Sequence, residues 1–427
     1  MRRLVTILTL MMCSAAAVLA QSTLPGMLGG SSPAQPESDH IQKDVLLVNL
    51  GASTEYDDNA FNQVVAGPDQ VLYSFTPRVA WNYSHRRWST ALDYELLESR
   101  SAKLDFYNRT YHNLGAQFDL QLSKRLSFTV RDNFNRSDNP LLQHSEFVPA
   151  GSIISQPNPS LFGAPQIRTT EHVSADMSYR LSARTTAGIG GGFTSSNYTS
   201  LSGASNTLQD TNTATGRAFY NHQFSAQQSA GLEYDISKFT SPGGFSTVSQ
   251  RVLISHDYKL KRGITVTAFG GPNHVSSVLR LGGAGAALAF DNWSWSVGGG
   301  FNWSGKRTSF GTNVVHEVSD GGGLQGPVRL TSVNSNLVRH FGRRWTANVF
   351  GQLAFNNRLD PRAAGFENHK YASGGGSLNW KLPHNVSVEF SYSRQEQSSL
   401  LSASDIWIDR NRATVSVNYS FTHSLAK

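Results

Sequence analysis

The segment Gly300-Phe301-Asn302-Trp303-Ser304-Gly305-Lys306 has the glycine and lysine spacing of a loop whose backbone amides cradle phosphates. The next position should then carry a hydroxyl for magnesium, and it is Arg307. Such a loop also joins a strand to a helix, whereas here alternating residues flank a tight turn on both sides. Gly321, Gly323 and Gly326 have the spacing of a dinucleotide fingerprint. No helical pattern follows them to present an N-terminus to a pyrophosphate, so a surface loop is the better reading. His316-Glu317 lacks the second histidine of a zinc-protease helix, and the 13 histidines are scattered without ligand spacing. There is no Gly-x-Ser-x-Gly nucleophile elbow. The residues nominate no catalytic group, no cofactor and no metal site.

What the chain does carry is a period of two. From Val71 to Tyr83 the odd positions are Val71, Tyr73, Phe75, Pro77, Val79, Trp81 and Tyr83, and the even ones Leu72, Ser74, Thr76, Arg78, Ala80 and Asn82. Successive side chains of a strand point to opposite faces, so one face is apolar and the other mostly polar. Trp88, Thr90, Leu92, Tyr94 and Leu96 oppose Ser89, Asp93 and Glu95 in the same way. Val173 to Leu181, Ala230 to Ile236 and Ala413 to Phe421 repeat the pattern. The runs Gly190–Gly192, Gly298–Gly300 and Gly374–Gly376 fall inside such strands, where glycine permits kinks and close packing in a curving sheet.

The connections alternate too. Tight turns are expected near His85-Arg86, Ser123–Arg125, Ser182–Arg184, Ser225–Gln227, Lys261–Gly263, Ser304–Lys306, Gly342-Arg343 and Pro383-His384. Longer polar loops separate them, the longest at about 137–169 with five prolines. Short turns on one side and long loops on the other predict an all-β fold, a transmembrane antiparallel up-and-down barrel. Eight turns join sixteen strands; a first strand at about 45–56 and a last at about 411–421 make eighteen. Residues 272–290 leave sixteen open as the alternative, since 281–290 reads as loop, strand extension or part of an extra hairpin. The phase over 328–341 is unclear. Pro77 suggests a bulge, and Asp132 falls on the apolar face between Val130 and Phe134, near the loop-side interface where charge is cheaper.

Composition sets the compartment. Charged residues are 16% and hydrophobic ones 39%, with 38 Gly, 23 Phe, 14 Tyr, 8 Trp and a mean hydropathy of −0.33. So many aromatics exclude a disordered chain, and no apolar run after the N-terminus is long enough for a membrane helix. Arg2 and Arg3, the apolar run from Leu4 and Val18-Leu19-Ala20 before Gln21 fit a signal peptide cleaved after Ala20. Residues 21–44, rich in Ser, Pro, Gly and Gln, read as a flexible periplasmic leader, 45–421 as the barrel and 422–427 as a short tail. Cleavage removes Cys13, the one cysteine, and leaves 35 basic against 30 acidic residues, too thinly spread for nucleic-acid binding.

Alternation also occurs in soluble sandwiches. The aromatics argue for lipid instead: Trp81, Trp88, Trp303, Trp345 and Trp380 lie beside tight turns, as do Tyr179, Phe224, Tyr258 and Phe341, where a membrane interface would place them. The opposite face carries Asn, Gln, Asp, Glu and Arg on nearly every strand, as a water-filled lumen requires. Candidate lumen-facing charges are Arg78, Asp93, Glu95, Arg131, Asp176, Arg180, Glu233, Asp235 and Arg251. Both signs are present, so strong ion selectivity is not expected, and for each the favoured role is that of an interior salt-bridge partner.

Signal, alternating strands, turn-side aromatics and the terminal Val415, Val417, Tyr419 and Phe421 together resemble bacterial outer-membrane β-barrel proteins, porin-like in type. The resemblance covers about residues 45–421 and is architectural. It implies an outer-membrane location, membrane lipid and the barrel-assembly machinery as partners, and Tyr419 and Phe421 as the assembly signal, although six residues follow Phe421. It implies further a passive, plug-free aqueous pore for small solutes, without cofactor or enzymatic activity. The other expectation is an occluded barrel acting as a surface scaffold or adhesin through its long loops. The 137–169 loop is expected to fold inward as a constriction. Solute and oligomeric state are not legible.

Overall fold

The computed structural model describes residues 44–59, 69–103, 108–137, 166–200, 209–242, 244–260, 263–280, 287–319, 327–359, 368–398 and 407–425. The signal and leader segments and the proline-rich loop lie outside them, as do Gly321, Gly323 and Gly326. The described residues form eighteen strands: β1 Val45–Asp57, β2 Gln70–His85, β3 Trp88–Ser101, β4 Arg109–Gln121, β5 Leu126–Ser137, β6 Gln166–Ser182, β7 Thr185–Ser200, β8 Thr211–Gln223 and β9 Gln228–Ser241. They continue as β10 Phe245–Leu260, β11 Ile264–Arg280, β12 Ala287–Ser304, β13 Thr308–Ser319, β14 Val328–Phe341, β15 Trp345–Arg358, β16 His369–Lys381, β17 Val386–Ser398 and β18 Trp407–Ser424.

Each strand pairs antiparallel with its chain neighbours, and β1 pairs with β18, so the sheet closes on itself. The strand count is eighteen, and residues 272–280 and 287–290 simply lengthen β11 and β12. Closure removes the two free edges that an open sheet would expose. The β1–β18 ladder runs from Asp57↔Arg412 to Val45↔Ser424, and Leu425 N–H donates to Asp44 O at 2.5 Å. The last strand therefore reaches three residues beyond the expected end at Phe421, taking Thr422 to Ser424 out of the tail. Seven of the eight expected tight turns are present among the described residues, while Lys261 and Arg262 of the eighth lie outside them. At the turn before β17, His384 and Asn385 both take the left-handed backbone (φ 60° and 61°) that tight hairpin turns use.

Cross-strand pairing fixes two faces. One holds the large exposed apolar side chains, among them Leu50, Phe75, Val79, Met177, Ile189, Phe193, Leu232, Ile254, Phe390 and Val417. The other holds the polar and charged residues and is the inner face. Pro77 is not in a bulge: Phe75 pairs with Glu98 and Arg78 with Glu95, so equal numbers of residues intervene on both strands. A proline lacks the N–H of one ladder bond but need not add a residue. The register shift lies instead between Arg180 and Ser182.

Asp132 does point outward, between Ala116 and Val173 of the adjacent strands, with Phe134 one step nearer the loop side. Its Oδ1 is buried without a hydrogen-bond partner. Glu171, across the ladder from Phe134, shares that outer face one step toward the loop side and is exposed. Asp132→Val is therefore expected to stabilise the folded protein by about 1 kcal/mol, read as a rise in the urea midpoint of the lipid-reconstituted protein. An unchanged or lower midpoint would contradict this.

Candidate functional site

The inner wall is where charge collects. Arg78 Nε donates to Asp93 Oδ1 at 2.8 Å, and its Nη2 also contacts that carboxylate. Glu95 sits directly across the ladder from Arg78. The strands place them there by register alone, since Arg78, Asp93 and Glu95 share the inward phase of β2 and β3.

A second group is built on β5 to β8. Asp176 accepts from Arg131 Nη1 at 3.2 Å and from Arg217 Nε and Nη2 at 3.0 and 2.6 Å. Gly190 lies between Asp176 and Arg217 in the ladder. A Cβ there would stand 2.0 Å from Asp176 Oδ1, so the missing side chain is what lets the carboxylate reach across a strand. The Arg217 side chain is 9% exposed, and its Nη1 is buried with no hydrogen-bond partner.

The third group crosses the lumen wall obliquely. Arg251 Nε donates to Asp235 Oδ2 at 3.1 Å and its Nη1 to Glu317 Oε2 at 2.9 Å. Glu233, one inward step along β9, is buried beside them. Between the second and third groups a small open recess is lined by Asp176, Thr215, Arg217, Asp235, Arg251 and Val318.

The fourth group sits where the ring closes. Arg410 Nε lies 3.0 Å from both oxygens of Asp57, and Arg412 Nε lies 3.4 Å from Asp57 Oδ2. Asp57 is 0% exposed and the Arg410 side chain 4%. These residues, with Arg217 and Glu317, were not singled out from the sequence. The alternation of β1 and β18 puts Asp57, Arg410 and Arg412 on the polar face, so a signal was present. Glu317 appeared only beside His316, and nothing in the spacing linked it to Arg251. His316 itself faces the other way and bonds Thr331 Oγ1 through Nδ1 at 2.7 Å.

Of the nine charges singled out, Arg78 and Asp93 form one pair with Glu95 across the ladder from Arg78, Arg131 and Asp176 belong to the second group, and Glu233, Asp235 and Arg251 to the third. Arg180 stands apart, exposed near the β6–β7 turn. The five tryptophans at tight turns are on the outer face. Trp345 and Trp380 stack with centroids 5.2 Å apart and planes 3° from parallel, and Trp88 packs on Tyr83 at 5.1 Å. Trp81 pairs with Leu46 and Leu92, and Trp303 with Ile264 and Phe310. Tyr419 and Phe421 face outward opposite Leu50 and Val48. The sequence reading overlooked Trp293 and Trp295, which project outward at the opposite end, 69% and 64% exposed. The phosphate-loop look-alike is the end of β12 and its turn into β13, with Gly305 N–H donating to Thr308 O at 2.5 Å.

The molecule is a closed eighteen-stranded barrel with a charged inner wall. Comparison with solved structures finds Acinetobacter baumannii OccAB4 at TM-score 0.46 and 12% identity, covering 89% of this chain and 98% of that one. Acinetobacter baumannii OccAB2 is similar at TM-score 0.45 and 12% identity, over 89% and 98%. Pseudomonas aeruginosa OccK2 (OpdF), in a complex with glucuronate, is similar at TM-score 0.43 and 14% identity, over 90% and 100%. No family model matches the sequence, and no curated protein matches it.

Proposed function

We propose that this chain spans the bacterial outer membrane and acts as a passive, plug-free aqueous pore for small solutes. The observation that carries the reading is the inversion of the barrel: apolar side chains on the outer face, charged and polar ones on the inner. A soluble barrel would place its apolar residues inside. A lipid-embedded one needs an apolar outer band flanked by aromatic girdles, and it tolerates a polar lumen. The turn-side tryptophans and the Trp293–Trp295 pair supply such girdles at both ends. Eighteen strands leave an interior too wide for side chains alone to fill.

The inner charges are largely neutralised in pairs, which favours a pore of weak ion selectivity. Arg78, Asp93, Glu95, Arg131, Asp176, Arg180, Glu233, Asp235 and Arg251 are its lumen-facing set, with Tyr419 and Phe421 read by the assembly machinery. Purified protein, refolded and inserted in a planar lipid bilayer, should give stable and uniform current steps, with a reversal potential close to zero under a salt gradient. Silence from protein shown to be folded would remove the pore and move the function to the long loops as a scaffold or adhesin.

A further inference from the structure

One seam of the wall differs from the others. β12 pairs with β11 along its whole length, from Arg280↔Ala287 to Ile264↔Trp303. Its ladder with β13 covers only Ser304↔Ser309 to Val297↔His316. Residues 287–296 of β12 therefore continue toward the loop side with β11 as their one ladder partner among the described strands. β13 meanwhile stays paired with β14 as far as Ser319↔Val328.

The side chains show where the upper part of β13 goes. Val318, in the outward phase of β13, packs with Val275 of β11, Phe290 of β12 and Leu359. Val275 and Phe290 lie in the inward phase of their strands. The outer face of β13 thus rests on the inner face of β11–β12, so the wall overlaps itself here. The turn-side half of this seam keeps its ladder, while the loop-side half is closed by apolar packing. Val318 also forms one edge of the recess that holds Arg217 and Arg251, while Trp293 and Trp295 project on the lipid side of the same stretch of β12.

We propose that this seam is a binding site for an amphipathic anion: an acidic head on Arg217, whose Nη1 is buried without a partner, and an apolar tail laid along Val318 and Phe290 between the overlapped strands. Charge complementarity selects the head, because Arg217 offers a donor that Asp176 leaves unused. The apolar overlap selects the tail, since it can be parted without breaking a ladder. This inference rests on the barrel spanning a bilayer as a pore.

The test uses single-channel current and a series of linear alkanesulfonates from ethane- to decanesulfonate, with protein-free bilayers as control. Blockade should tighten by about fourfold for each added methylene, the transfer value of a buried CH₂. Val318→Asn and Phe290→Ser should each flatten that chain-length dependence while leaving the unblocked conductance as it was; two variants are used in case one fails to fold. Arg217→Gln should weaken block at all lengths alike. Current without any chain-length dependence would overturn the site and leave the pore standing, as would a slope untouched by both seam variants. Absence of current from folded protein would fail the pore reading itself.

Discussion

Asp57→Asn is expected to lower the stability of the barrel by about 3–5 kcal/mol, the usual result of removing one partner from a buried ion pair. Asp57 is fully buried against Arg410 at 3.0 Å, and Arg412 stands 3.4 Å from the same carboxylate. Neutralising it takes one carboxylate away from two buried guanidinium groups, while Glu55 stands 3.9 Å from Arg412 Nε. The location magnifies the effect, because these residues join strands 353 positions apart in the chain and lie at the loop-side end of the closing ladder. Denaturant unfolding in lipid vesicles would measure the loss, and the double variant Asp57→Asn with Arg410→Gln should recover part of it. A loss below about 1 kcal/mol, in the range of a surface pair, would show that water reaches the site.

The second large effect is on selectivity. Asp176 is the one carboxylate bonded by both Arg131 and Arg217, at 3.2 and 2.6 Å. Asp176→Asn would change the local sum from one positive charge to two, on the lumen side of the wall where charged rings set which ions pass. The reversal potential under a potassium chloride gradient should move toward the chloride value, a several-fold rise in anion over cation permeability. The effect should shrink at high salt, as screening shortens the reach of the freed charges. Should the potential stay where it is in the unaltered protein, Asp176 would lie off the conducting path. The converse variant, Arg217→Gln, should shift the potential the other way.

The ring was legible in the sequence because it is built from repetition. Alternation in β2, β3, β6, β9 and β18 identifies two faces without knowledge of any neighbour, and eight turns then count the strands. What escaped depends on contacts between strands. Over 328–341 the phase is unreadable because the inner face is itself apolar there: Leu330 is buried with Ala354 and Tyr371, while Arg329 takes the other phase. Trp293 and Trp295 went unnoticed because they lie in the one stretch where strand and loop could not be told apart. Asp132 was seen on the apolar face, but its depth depends on the stagger between β5 and β6, which no single strand encodes. The ion pairs are hidden for the same reason. Residue types nominate Arg251 and Asp235, whereas only the inward lean of β13 delivers Glu317 to the same guanidinium.

The wall closes between β1 and β18 through a ladder of the same kind that joins strands linked by a turn, down to the hydrogen bond from Leu425 to Asp44. To the folded ring the order in which the chain visits its strands is therefore arbitrary. A chain that bridged 425 to 44 and began at another of the tight turns would describe the same circle. Topologically the barrel has a perimeter but no origin.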